Sequence, residues 1–115
     1  DFYRLGWIGD YPEPENFLNL FYGKNVPKDP TAISPINSTR YQNPEYDALF
    51  EKAIATTDQA ERYKLYLQAE QIAISQAPMM FIYYDEDYRM LQPYVKGYAL
   101  DAMHRVNFRY LWLDK

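Results

Sequence analysis

Chemical capacity is concentrated in one run near the start of the chain: Gly6, Trp7, Ile8, Gly9, Asp10, Tyr11, Pro12, Glu13 and Pro14. An apolar segment ends there on an acidic side chain, beside a tryptophan and before two prolines that forbid any continuation of a strand. Asp10 is thus expected at a strand exit on stiff backbone, and Gly9 lets another chain come close to the main chain. A carboxylate so placed can pair with a cation or accept hydrogen bonds from a ligand. It can also serve the chain itself, by capping the following turn. Trp7 divides in the same way between core and ligand contact. Glu13 and Glu15 offer a third option, since paired carboxylates about 5 to 9.5 Å apart are what glycoside hydrolysis requires. Both are also explained by the turn and by the helix start, which leaves Asp10 as the carboxylate without a local duty.

Other candidates carry less. His104 is the single histidine and cannot build a histidine-based metal site alone. Asp85, Glu86 and Asp87 supply hard oxygen ligands but lack the spaced acid and glycine pattern of a calcium loop, so a solvated hairpin turn is expected. Asn37, Ser38 and Thr39 form a glycosylation sequon, a short motif with many chance matches.

The elements that must position these groups follow from periodicity. Residues 2–8 form an apolar, aromatic segment expected to be a buried strand. Residues 15–22 read as a short helix with Pro14 in its first position, Glu15 at the positive end of the dipole, an apolar face of Phe17, Leu18, Leu20 and Phe21, and Gly23 as its stop. Residues 24–42 contain three prolines and no periodicity. A loop that long is either functional or packed on a part of the protein outside this sequence.

Asn43, Pro44 and Glu45 make a helix start, with a helix expected to about Ala55 and a buried face of Tyr46, Leu49, Phe50, Ala53 and Ile54. A second helix starts at Asp58, with Glu61 placed as in a capping box, and ends by Ala77 ahead of Pro78. Tyr66, Ala69, Ala73 and Ala77 form its apolar stripe, flanked by Leu65 and Ile72, while Glu61, Arg62, Lys64, Gln68 and Gln71 read as solvated. Residues 79–84 have the length and flanks of a buried strand, with 88–91 as a returning partner. Beyond a turn at Gly97, Val106, Phe108, Tyr110 and Trp112 alternate as in a strand.

Composition narrows the function classes. The formal charge is −4, from 12 basic and 16 acidic residues with no basic cluster, which argues against a nucleic-acid surface. No apolar run approaches the roughly 18 residues of a membrane-spanning helix. The lack of cysteine removes disulfides, thiolate metal sites and a cysteine nucleophile together. Tyrosine (13), phenylalanine (6) and tryptophan (2) make up 18% of the chain, and they suit cores and wet recognition surfaces equally. The sequence opens on Asp1 inside an apolar pattern and reads as a piece of a longer chain, so a leader would lie upstream.

Arg4, Gly6, Trp7, Asp10, Tyr11, Glu13 and Pro14, then NPEYDALF (43–50), TDQAERYKLYLQAE (57–70) and APMMFIYY (77–84), in that order, resemble the carboxy-terminal portion of the periplasmic oligopeptide- and dipeptide-binding proteins of ABC importers. The resemblance covers nearly the whole chain. It implies a mixed α/β (α+β) fold, part of a two-lobed clamp that closes over an extended peptide held by main-chain hydrogen bonds. Residues 1–92 would belong to the carboxy-terminal ligand-binding lobe and 93–115 would return towards the first lobe. Asp10 would neutralise the α-ammonium group of the ligand, Trp7, Ile8 and Gly9 would contact its first residues, and Arg4 would meet the carboxylate of a short peptide.

The implied partners are a peptide and a membrane permease, the location is the periplasm or the outer face of the cytoplasmic membrane, and neither cofactor nor catalysis is implied. Family members also take nickel, haem, sugars and antibiotics. A carbohydrate-binding module or glycoside hydrolase fragment is the alternative, motivated by the aromatic residues and the acids near Glu13.

Overall fold

The computed structural model describes residues 3–84, 86, 88–100 and 105–114. His104, Asp85 and Asp87 lie outside the described residues, as does the start of the 2–8 segment.

The core is helical. Helix α1 (Glu15–Leu18) runs into a 3-10 turn over Asn19–Phe21, and α2 (Pro44–Ala55) and α3 (Gln59–Gln76) pack against each other and against α1. The α2 start matches its expected chemistry: the Asn43 side chain accepts from the amides of Glu45 and Tyr46 at 2.8 and 3.1 Å, and Pro44 occupies a position whose amide needs no partner. Asp58 caps α3 by accepting from the Glu61 amide at 2.8 Å. Ala77 ends α3 in the left-handed conformation (φ 46°), an unfavourable one for alanine, and Pro78 forbids continuation.

The buried side chains are those a 3.6-residue period selects: Tyr46, Phe50 and Ala53 on α2, and Leu65, Tyr66, Ala69 and Ala73 on α3, joined by Leu18 and Phe21. Tyr46 stacks on Phe50 at 6.1 Å and meets Phe21 and Tyr41 in T-shaped contacts. Its hydroxyl donates to the Leu18 carbonyl at 2.6 Å, so the one polar atom the ring carries inside is satisfied.

Several expectations change here. Ile54 (54% exposed) and Ala77 point away from the core, because each stands at the end of its helix where no neighbour covers it. Phe17 is likewise exposed, since α1 is short and buries Asn16 and Leu18 instead. Pro14 is the residue flanking α1 and not its first position. Gly23 does not stop the helix by adopting positive φ. It begins a second 3-10 turn, Gly23–Asn25, where its amide donates to the Asp47 carboxylate at 2.8 Å and a Cβ would stand 2.4 Å from Oδ2 of the same group.

The 24–42 segment is neither loose nor dependent on an outside surface for its anchor. Asn37 is completely buried; its Nδ2 donates to the carbonyls of Tyr22 and Tyr41 at 3.1 and 2.8 Å, and its Oδ1 accepts from the Thr39 hydroxyl and the Tyr41 amide, both at 3.1 Å. The sequon asparagine is therefore an internal pin, closed to a glycosyltransferase. Tyr41 then ties the loop to α3 by donating to Gln76 at 2.7 Å.

The expected strands at 2–8, 79–84 and 88–91 do not form among the described residues. These segments are extended and largely exposed, Tyr84 at 99%. A strand needs a ladder partner, and no described part of the chain supplies one to them. The observed sheet is small: β1 (Val95–Lys96) pairs antiparallel with β2 (Trp112–Leu113), and an isolated bridge joins Leu100 and Val106. The alternating pattern from Val106 to Trp112 is interrupted by a 3-10 turn at Phe108–Tyr110. Gly97 has φ 71°, and a Cβ there would fall 1.8 Å from the Tyr110 carbonyl oxygen, so the close approach of these two segments requires glycine. The radius of gyration, 18.7 Å, exceeds the roughly 13 Å of a compact domain of about this length, because the described parts of the two ends touch the helical core only at a few points, such as Trp7 on Asn16 and Phe81 on Phe21.

Candidate functional site

The segment carrying the candidate residues enters the core through the turn at 10–14. The Glu13 amide donates to the Tyr11 carbonyl at 2.9 Å and the Asn16 amide to the Glu13 carbonyl at 3.1 Å, so the turn leads directly into α1. Asn16, buried in the first turn of that helix, faces back along the chain. Its Oδ1 accepts from the Trp7 indole at 2.8 Å and from the Asp10 amide at 3.3 Å. Trp7 is 38% exposed, held by its polar edge with part of the ring open.

The three carboxylates of this region have separate fates. Glu13 pairs with Arg62 at 2.9 Å, both side chains about three-quarters covered, and Glu15 accepts from the Tyr11 hydroxyl. That bond, followed by desolvation, raises the Tyr11 pKa above the usual phenol value, while the Asn16 side chain pulls it the other way. The Asp10 carboxylate is exposed and makes no hydrogen bond or ion pair among the described residues. The turn-capping role open to Asp10 in the sequence is not taken. The two acids that would partner Asp10 in a catalytic pair each have a partner within the chain.

Arg4 donates to the Tyr83 hydroxyl and stands 5.6 Å from the centre of that ring, in cation–π range. Tyr3 donates to the Ser38 carbonyl at 2.7 Å. Ile8 is exposed and Gly9 partly covered. Segment 3–10 therefore lies against the 37–41 loop and Tyr83, presenting Ile8, Asp10 and part of Trp7 to solvent. No group of three or more histidine, cysteine or acidic side chains able to hold a metal exists among the described residues. An open groove between α2 and α3, bordered by Leu49, Lys52, Gln68 and Ile72, contains none of the residues from Arg4 to Asp10.

Sequence reasoning missed three residues here. Arg62 reads as solvated from its helical position, yet it ties the proline turn to α3. Asn16 and Tyr83 carried no signal, because their partners are 9 and 79 residues away and no local spacing rule links them.

An open carboxylate on pinned backbone beside an edge-held tryptophan is a surface able to pair with a cationic group. No protein-family model matches the sequence. Curated relatives do. The sequence is 40% identical over 95 residues to the Heme-binding protein A of Haemophilus influenzae, covering 83% of this chain and 16% of the relative. It is 33% identical over 99 residues to the Periplasmic oligopeptide-binding protein OppA of Escherichia coli, covering 86% and 17%, and 34% identical over 110 residues to the Di/tripeptide-binding protein 4 of Pseudomonas aeruginosa, covering 94% and 19%. The chain belongs to the peptide-binding family of solute-binding proteins of ABC transport, and it spans less than a fifth of the length of these three relatives.

Proposed function

We propose that the protein carrying this chain is the substrate-binding component of a bacterial ABC importer, which captures peptides through a free α-amine and delivers them to a membrane permease. It works in the periplasm or at the outer face of the cytoplasmic membrane and catalyses no reaction. The observation that carries this reading is the Asp10 carboxylate: unpaired among the described residues, exposed, and mounted on backbone bonded to Asn16. A cationic amine enclosed by a closing second lobe needs a counter-ion, and a charge-assisted bond supplies it.

In this reading Trp7, Ile8 and Gly9 border the first ligand residues, and Arg4 leaves Tyr83 to meet the carboxylate of a short peptide. Residues 1–92 belong to the ligand-binding lobe of a two-lobed protein and 93–115 lead back to the other lobe, which would supply the strands that 3–8 and 79–84 lack. The carbohydrate reading has weaker support, since it drew on Glu13 and Glu15 and both are committed within the chain.

Calorimetry on the parent protein with trialanine tests the proposal. Asp10→Ala should weaken binding by about 2 to 5 kcal/mol, the usual result of truncating one side of a buried charge pair. Unchanged affinity in that variant would remove the amine anchor. Because a haem-named relative stands at 40% identity, haem is the comparison ligand, and binding of haem with indifference to peptides would reassign the site.

A further inference from the structure

Resting on that reading, we infer that Asn16 is a positioning residue for the ligand amine, although it touches no ligand itself. A carboxamide oxygen has two lone pairs, and here one takes the Trp7 indole N–H at 2.8 Å and the other the Asp10 amide N–H at 3.3 Å. The residue is 96% covered, so a polar group here must be satisfied by the chain and not by water. Asn16 is fixed from below. Its own amide bonds the Glu13 carbonyl, and two residues further along α1 the Leu18 carbonyl receives the Tyr46 hydroxyl at 2.6 Å from the centre of the core.

A continuous path therefore runs from the α2–α3 core through α1 and Asn16 to the two residues that flank the proposed amine. The consequence is preorganisation. With the acceptor present, Trp7 and the Asp10 backbone hold one arrangement before a ligand arrives; without it, both N–H groups need new partners and the carboxylate loses its fixed origin. The effect should fall on recognition of the amine and spare the rest of the peptide.

The experiment compares trialanine with N-acetyl-trialanine on the full-length parent protein by calorimetry, reading the ratio of the two affinities. Asn16→Leu keeps the volume and deletes the acceptor, and should lower the preference for the free amine about tenfold. Asn16→Asp keeps an oxygen for both donors and should hold the ratio within about threefold of the wild type. Asn37→Ala, equally buried but bonded to Tyr22, Thr39 and Tyr41 and not to Trp7 or Asp10, should lower the melting temperature and leave the ratio alone. If the leucine variant does not fold, Asn16→Ser, whose shorter hydroxyl cannot serve both donors, must show the same selective loss. Retention of the ratio in the acceptor-deleted variant, while Asp10→Asn abolishes it, overturns the role of Asn16 and leaves the amine anchor standing. Indifference of Asp10→Asn removes the anchor itself.

Discussion

The helical core and the two extended ends of this chain are written in similar letters and have opposite fates. Tyr46, Phe50 and Tyr66 are buried, whereas Tyr83, Tyr84, Phe81 and Ile82 stand largely in solvent. The difference lies in where partners come from. A helix satisfies its own backbone and needs only another helix nearby, and α2 and α3 are joined by Thr56, Thr57 and Asp58. An extended segment needs a ladder partner for its backbone and a cover for each apolar face, and those must arrive from elsewhere in a longer protein. Burial here records the supply of neighbours more than the hydrophobicity of the segment.

The comparison can be broken at its strongest point first. In urea unfolding of this 115-residue chain, Phe50→Ala should cost about 3 to 5 kcal/mol, whereas Ile82→Ala should stay within about 0.5 kcal/mol. Similar losses at both positions would mean that the 79–84 segment is covered in solution and that the contrast is false.

Alkali probes the same core. Burial pushes the Tyr66 pKa up to about 12 and raises that of Tyr46 further still, so both are held as neutral phenols in the fold. The sign follows. The unfolded chain loses these protons first, near pH 10, so folded stability is complete below that pH and declines as pH rises towards 12. The Tyr66 contribution is on the order of 2 to 3 kcal/mol. A flat unfolding free energy across that window, with phenolate absorbance rising in the folded protein, would contradict the burial.

The loop comes next. Asn37→Ala strands the carbonyls of Tyr22 and Tyr41 and the Tyr41 amide, and should cost about 1 to 3 kcal/mol by thermal melting. A loss near zero would return residues 24–42 to the unpacked side of the comparison. Arg62→Ala is the smallest effect, about 0.5 to 1 kcal/mol, because the pair with Glu13 is only partly screened from water. Its value is diagnostic: hydrogen exchange at residues 10–15 should rise in that variant if the proline turn is strapped to α3 as observed.

Within the site, legibility followed distance along the chain. Asp10 could be singled out because the duties of its neighbours were local: prolines, a turn, a helix start. Its isolation among the acids agrees with the geometry. The sort of Glu13 was only half visible, since the turn was readable and Arg62, 49 residues away, was not. Asn37 was readable only as a sequon with many chance matches, because a three-residue motif says nothing about whether its asparagine reaches solvent. Trp7 was left between core and contact, and the structure holds its edge on Asn16 and leaves part of the ring exposed.

The sequence by itself determined α2 and α3 with their caps at Asn43 and Asp58, the stop before Pro78, and the stiff turn after Asp10. Each of these is decided by interactions within about four residues, and such energies can be read from spacing. Tertiary structure alone decided that Asn16 gathers Trp7 and Asp10, that Asn37 closes the long loop, that Arg62 straps the turn, and that the apolar ends remain extended and open. Those outcomes depend on which distant groups meet, and an apolar or amide side chain carries no mark of its eventual neighbour.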